Sequence, residues 1–222
     1  MSNIKYDCSE GIITCIIKAI SVSWLYYLSV TIGFLLIGCI TNDIFRSMIT
    51  GFVLFIWAHR THIWAHNIWP CTWFHGWHHD PENSQTIWGI FIETFTNLFG
   101  SGGLSLILYN IAFQMFTGFK ILNNYTILYF SLLYTTFHMI NYHYLNVKTH
   151  KDHHEDISYN FGPDVIDVMF QTKKDHEEYE DMNHAIVNNI GILLIVVLLY
   201  GSRLDPISFL RRLILTVTKN RE

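Results

Sequence analysis

Three short stretches of this sequence concentrate imidazoles at fixed spacings: HIWAH at 62–66, HGWHH at 75–79 and HKDHH at 150–154. His62 and His66 are i and i+4. His75, His78 and His79 are i, i+3 and i+4, and His150, His153 and His154 repeat that pattern. On a helix each set shares one face, so three helical faces can aim eight imidazoles at a common point. Packed together without a partner, buried ring nitrogens go unsatisfied at a cost in free energy, and protonating them adds mutual repulsion. A bound metal relieves both. Imidazole suits iron, zinc, copper and nickel, so ligand type does not choose among them. Ligand number says more: one zinc takes four, and eight call for two metals.

A lone histidine is more often packed or hydrogen-bonded than a ligand, and His59 and His176 are read that way first. His59 lies three before His62 and shares its face, so a register with His59 as leading ligand stays open. His138, His143 and His184 are the other further candidates for the metal. His143 is seven before His150 and can share its face. His138 is five before His143, about 140° round at roughly 100° per residue, so the two cannot face one point on an unbroken helix. Asp80, Asp152 and Glu155 stand beside the motifs, either as second-layer carboxylates that fix imidazole tautomers or as solvated charges. Trp57, Trp64, Trp69, Trp73, Trp77 and Trp88 gather around the first two motifs, as in an interfacial aromatic belt.

The elements that carry these motifs are apolar. Of 222 residues, 50% are hydrophobic and only 14% charged, greasier than an ordinary soluble domain. The net charge of −4 gives no basic footprint for nucleic acid. Cys8, Cys15, Cys39 and Cys71 form no C-x-x-C pair, which excludes a zinc finger and argues against a disulfide framework. The polar start MSNIKYDCSE, followed by a long apolar run, is unlike a cleavable signal.

Residues 19–41 carry no charge and are long enough to cross a hydrocarbon core of roughly 30 Å. After a polar break at Asn42, Asp43 and Arg46, residues 47–65 form a second candidate span whose last third bears His59, Arg60 and His62, giving a helical hairpin. A second pair, 103–117 and 126–142, is joined by turn chemistry at Gly118, Asn123 and Asn124 and starts near Ser101-Gly102-Gly103. It either spans fully or dips in. From Lys151 to Asp181 ten acids face three lysines, so this segment is aqueous. Residues 185–201 are apolar but short and are read as lying at the interface or packed on the bundle. The tail, with Arg203, Arg211, Arg212, Lys219 and Arg221, reads as cytoplasmic. The fold class expected is all-α: a polytopic membrane protein forming one membrane-embedded domain over 1–222, its helical hairpins topped by a cytosolic, histidine-rich di-metal cap.

The order of motifs resembles the fatty acid hydroxylase/sterol desaturase superfamily of integral membrane di-iron enzymes. That family carries H-x-x-x-H, then H-x-x-H-H, then a distant H-x-x-H-H, here His62/His66, His75/His78/His79 and His150/His153/His154. Asn160-Phe161-Gly162, Asp167 and MFQT are similar to the family's N-F-G … D-x-x-F-G-T, with Gln171 in place of the last glycine. The resemblance covers 57–172. It departs where the family often has Arg after the leading histidine: here Ile63 follows His62, and the His-Arg pair is His59-Arg60. The resemblance implies two iron ions (zinc substituting), O2 as cosubstrate, a membrane lipid substrate and removal of hydrogen from an unactivated C–H to give an alcohol or an alkene. It also implies a separate electron donor, cytochrome b5 with its reductase or a ferredoxin, and a home in the endoplasmic reticulum with the metal site facing the cytoplasm. On that reading no catalytic residue is separate from the metal ligands. Two alternatives of other classes stand beside it. A histidine-rich membrane metal transporter needs ionisable residues lining a path through the spans, and those before Phe55 have none. A non-catalytic lipid-binding relative shares the motifs. A membrane zinc hydrolase needs an open site, and eight ligands are too many.

Overall fold

The computed structural model describes residues 8–145, 147–202, 207–210 and 212. Among these the secondary structure is helical throughout: α1 (Ile12–Val22), α2 (Trp24–Ile40), α3 (Ile44–Asn67), α4 (Cys71–His79), α5 (Pro81–Ser84), α6 (Ile87–Thr96), α7 (Leu106–Thr117), α8 (Asn124–Ile140), α9 (Lys148–Glu155), α10 (Asp164–Phe170) and α11 (Ile186–Tyr200). Single π-helical turns, Asn97–Ser101 and Asn141–Leu145, follow α6 and α8.

The first hairpin forms as the pattern predicts. α2 and α3 pack closely because Gly51 offers no side chain; a Cβ there would collide with the Phe34 ring. Around Phe34, Ile37, Leu54, Ile111, Ile127 and Leu133 these two helices share a core with α7 and α8. The α7–α8 turn uses the predicted residues. Gly118 takes a left-handed conformation, where a Cβ is penalised, and the Asn123 side chain caps α8 by accepting from the Tyr125 and Thr126 amides.

Two expectations change. Residues 19–41 are not one straight span: α1 and α2 meet at an angle of 83°. The hydroxyl of Ser23 donates to the Glu180 carbonyl and accepts from the Met182 amide, while Asn183 bonds both the Val22 carbonyl and the Tyr26 amide. The 180–183 segment thus satisfies the backbone groups that a helix end exposes, and the bend sits where it inserts. The second hairpin starts earlier than Ser101, because α6, the first π turn and α7 make one long arm, Ile87–Thr117.

That arm and Asn183–Tyr200 are long and apolar enough to cross a membrane, and the bent α1–α2 pair makes a third if it counts as one span. This is consistent with an integral membrane protein. The histidines and Arg60 that α3 carries in its last third, residues 59–66, keep it out of that set despite its length. α11 packs on α2 and α8 through Asn189 to Ser29 (2.8 Å) and Asn188 to Thr136 (2.8 Å); the segment read from sequence as short is extended by the turn at Asn183–Ala185 to a length that can cross. Outward-facing side chains are strongly apolar, with Phe116 90% exposed and Ile87 85%, the surface a lipid phase accommodates. Of the basic tail, Arg203, Arg211, Lys219 and Arg221 lie outside the described residues. Cys8 and Cys15 are paired as a disulfide, contrary to expectation: the turn ahead of α1 folds Cys8 back over the helix, where the Gly11 amide bonds the Cys8 carbonyl.

Candidate metal centre

α3 ends at Asn67, Pro70 precedes α4, and Asp80-Pro81 closes α4, so the first two motifs lie on two short helical faces set at an angle. Asp80 ends α4 by becoming the cap of α5, its carboxylate accepting from the Glu82 amide (3.0 Å). The third motif fills α9. All eight motif histidines come together.

They meet through one type of atom. His66 Nε2 lies 3.0 Å from His153 Nε2 and 3.1 Å from His75 Nε2, which is 3.1 Å from His79 Nε2. His62 joins this group, its buried Nε2 without a hydrogen-bond partner. A second group adjoins it: His154 Nε2 is 3.0 Å from both His78 Nε2 and His150 Nε2. His138 comes close to His78 and His150, and its Nε2 is also buried and unpartnered. The His79 and His154 rings stack at 4.1 Å between centroids, linking the groups.

A ring nitrogen offers one N–H or one lone pair, so runs of Nε2 atoms in mutual contact cannot all be hydrogen bonds. Nitrogens held about 2.1 Å from one cation lie roughly 3 Å apart, which is the spacing seen. The donor set therefore fits a metal in each group.

The outer nitrogens are held separately. His62 Nδ1–H donates to the Phe161 carbonyl (2.7 Å) and His153 Nδ1–H to the Tyr159 carbonyl (2.6 Å). A carbonyl only accepts, so both rings are fixed with an Nε2 lone pair facing inward. The segment that presents these carbonyls is the N-F-G stretch. Asn160 sits in the left-handed region (φ 58°), which asparagine tolerates. The buried Asp167 carboxylate accepts from the Phe161 amide (3.0 Å), the Gly162 amide (3.1 Å) and the Thr172 hydroxyl (2.6 Å). Gln171 is also left-handed (φ 57°), where the resembled family carries glycine.

Other sequence candidates fall outside the converging atoms. His59 is buried against Asp167 and bonds Thr172 (2.9 Å), with its ring stacked on Phe170 and Arg60 over the same ring. The register with His62 leading is the one in which the ring reaches the group. His184 bonds Asn141 and the Asp181 carbonyl. His176 lies near Cys8 and Cys15. Asp152 and Glu155 make no hydrogen bond to an imidazole among the described residues, and neither does Asp80, whose carboxylate caps α5 instead. The carboxylate that does touch the imidazoles is Glu93, which sequence reasoning missed. It lies 3.0 Å from His138 Nδ1, 2.9 Å from His143 Nε2 and 3.2 Å from His78 Nδ1. His138 and His143, five apart, reach the same carboxylate because a π turn begins at Asn141 and its i to i+5 repeat replaces the α-helical one.

Burial and the neighbouring rings hold the imidazoles of α4 and α9 in the neutral form, with His154 pushed down to about 3 and His75, His78 and His150 well below the ordinary value. Neutral imidazole is the ligand form. An apolar cavity of about 320 Å³ reaches His75 between α3, α4 and the first π turn, with Trp64, Phe74, Phe95 and Phe99 in its walls. No family model matches the chain, and neither the curated proteins nor the solved structures contain a significant match to it.

Proposed function

We propose that this chain is a membrane-embedded oxygenase of the class its motifs resemble, a lipid hydroxylase or desaturase that holds two iron ions. The observation that carries the reading is the convergence of Nε2 atoms in two adjoining groups, with the Nδ1 atoms of His62 and His153 tied to backbone carbonyls. His62, His66, His75, His79 and His153 would hold one ion, and His78, His138, His150 and His154 the other. Two irons bound there supply the power, with O2 and electrons from a separate donor, to break an unactivated C–H bond.

The chain's own residues do the rest. The 159–172 segment fixes the His62 and His153 rings, so little reorganisation is needed on binding. The depressed imidazole pKa values keep protons from competing for the ligand lone pairs. The walls of the cavity at His75 suit an acyl chain lying beside the first group and exclude water from it. On this reading, as the resemblance implies, the site would face the cytoplasm at the endoplasmic reticulum, where a soluble or membrane-bound electron donor could reach it. A transporter is disfavoured because the imidazoles gather at one place instead of lining a path.

The test is expression in a host that makes sterols and sphingolipids, with lipid analysis and metal analysis on the same preparation. The expected result is about two irons per chain and a new hydroxylated or desaturated lipid, lost when His153 is changed to Ala. One tightly bound zinc and no iron in active protein would overturn the di-iron reading.

A further inference from the structure

Glu93 is a solitary charge in the apolar run IWGIFIETFT of α6, part of a candidate span, and it is 1% exposed. A carboxylate so placed is costly unless fully paired. Its partners come from three elements: His78 of α4, His138 of α8 and His143 of the second π turn. None of these approaches is local in sequence, so the fold brings three imidazoles to one carboxylate.

We infer that Glu93 is the positioning residue of the second imidazole group, accepting Nδ1–H from His138 and drawing the otherwise unpartnered Nδ1–H of His78 to its second oxygen, so that both rings present Nε2 lone pairs to a shared metal, with His143 as a further donor outside the ligand set. This rests on the proposed metal-binding reading and deepens it. Two carboxylate oxygens offer about four acceptor sites, enough for three N–H donors. The His78 ring shows the same division by proximity: its buried Nδ1 lies 3.2 Å from Glu93 Oε2, outside hydrogen-bond geometry and with no other partner, while its Nε2 faces His154. The same holds for His138, whose Nδ1 faces Glu93 and whose Nε2 is buried without a partner. Asn97 sits 3.0 Å from His138 Nδ1 as well. The Asn97 atom placed there is Nδ2, and a ring nitrogen that donates to Glu93 cannot also accept, so this role for Glu93 requires the Asn97 amide to be flipped, its oxygen sharing that proton; amide oxygen and nitrogen are assigned from the network. Glu93 contacts the Nδ1 side of both rings, away from the point where the Nε2 atoms meet, which makes it a positioning group and not a ligand.

The experiment compares wild type, Glu93→Gln and Glu93→Asp, purified in detergent and loaded with Co(II). The readouts are stoichiometry, affinity by chelator competition, and the visible Co(II) spectrum. Glutamine keeps the size but puts an NH2 against N–H donors. The inference expects one of two sites to weaken by roughly 10- to 100-fold, the loss typical of an outer-layer partner, with a changed Co(II) spectrum and the other site unaffected. Aspartate keeps the charge but cannot reach three donors, so it should weaken the same site less. Wild-type affinity and spectrum in Glu93→Gln would overturn the inference. So would a spectrum showing a lost oxygen ligand, which makes Glu93 a direct ligand. Should Glu93→Gln not accumulate as folded protein, wild-type affinity and spectrum in Glu93→Asp overturn it equally. Failure of the wild-type chain to bind Co(II), Fe(II) or Zn(II) at all sinks the metal reading itself and is seen before any variant is made.

Discussion

Changing Asp167 to Asn tests whether the 159–172 segment holds the first imidazole group in place. Asp167 is fully buried and accepts three hydrogen bonds, two from backbone amides. Hydrogen bonds to a charged group contribute about 1.5–3 kcal/mol each. Asparagine keeps one acceptor oxygen and turns an NH2 towards an amide that also donates, so one bond is lost and one donor is left buried and opposed. Both effects together should cost the apo protein about 2–4 kcal/mol. The Phe161 carbonyl is carried by the same backbone, so the His62 ring loses its anchor, and metal affinity of the first group should fall roughly 10- to 100-fold. Thermal unfolding in detergent, with and without metal, reads the first number, and chelator competition reads the second. Thr172→Val, which removes one donor and leaves the amides in place, should cost about 1.5–3 kcal/mol. An Asp167→Asn protein with wild-type unfolding temperature and wild-type metal affinity would refute the reasoning, because the three bonds would then contribute nothing.

Further outcomes are expected. His78→Ala, His79→Ala, His153→Ala and His154→Ala should each lower metal content and abolish activity, whereas His176→Ala should leave metal content near wild type; the reverse order in one metal assay removes the site from where the structure puts it. Gln171→Gly should leave stability unchanged or raise it by up to about 1 kcal/mol, while Gln171→Val should lower it by about 1–2 kcal/mol, since the left-handed conformation penalises a β-branched side chain most; equal melting curves for the two variants would count against it. Acid should destabilise the apo protein. The α4 and α9 imidazoles have lowered pKa values when folded, so the unfolded chain takes up protons first; their contribution is intact above pH 6.5 and is lost as pH falls from there towards about 3 for His154. Each such group should cost about 1.4 kcal/mol at pH 5.5, and a flat stability profile between pH 7 and 5 contradicts this. Cysteines introduced at Gly76 and Asp152 should label from the same side of the membrane; labelling from opposite sides is incompatible with a single site.

The histidine motifs were legible because helical periodicity alone puts i, i+3 and i+4 on one face, and α4 and α9 are short enough to keep that face intact. Turn chemistry at Gly118 and Asn123 and the stop at Asp80-Pro81 were legible for the same local reason. What was not legible is long-range. The bend at Ser23 exists because residues 180–183 supply its hydrogen bonds, and nothing within 19–41 announces it. The π turn at Asn141 overrides the 140° objection to His138 and His143, and a π turn has no sequence signature comparable to a proline or glycine break. The outer-layer carboxylates were sought beside the motifs in sequence, at Asp80, Asp152 and Glu155, whereas Glu93 approaches from a different helix. A signal for it was present: a single charge in an otherwise apolar candidate span is a functional candidate by default.

The two imidazole groups are built alike inside and differently outside, and the difference follows from charge. Imidazoles are neutral ligands, so divalent cations bound by histidines alone would bring their full charge into buried, apolar surroundings, at a desolvation cost that needs compensation close by. The second group has Glu93 beside the Nδ1 atoms of two of its rings, His78 and His138. The first group has backbone carbonyls there instead, but the segment that offers them is organised by the buried Asp167, which also faces His59. One carboxylate thus stands one layer behind each group. In the first its charge is relayed through amide dipoles; in the second it acts through hydrogen bonds to the rings themselves. Exposure accounts for the missing role of Glu155: an exposed carboxylate has its charge screened by water and compensates little, whereas one in the dry interior acts far more strongly.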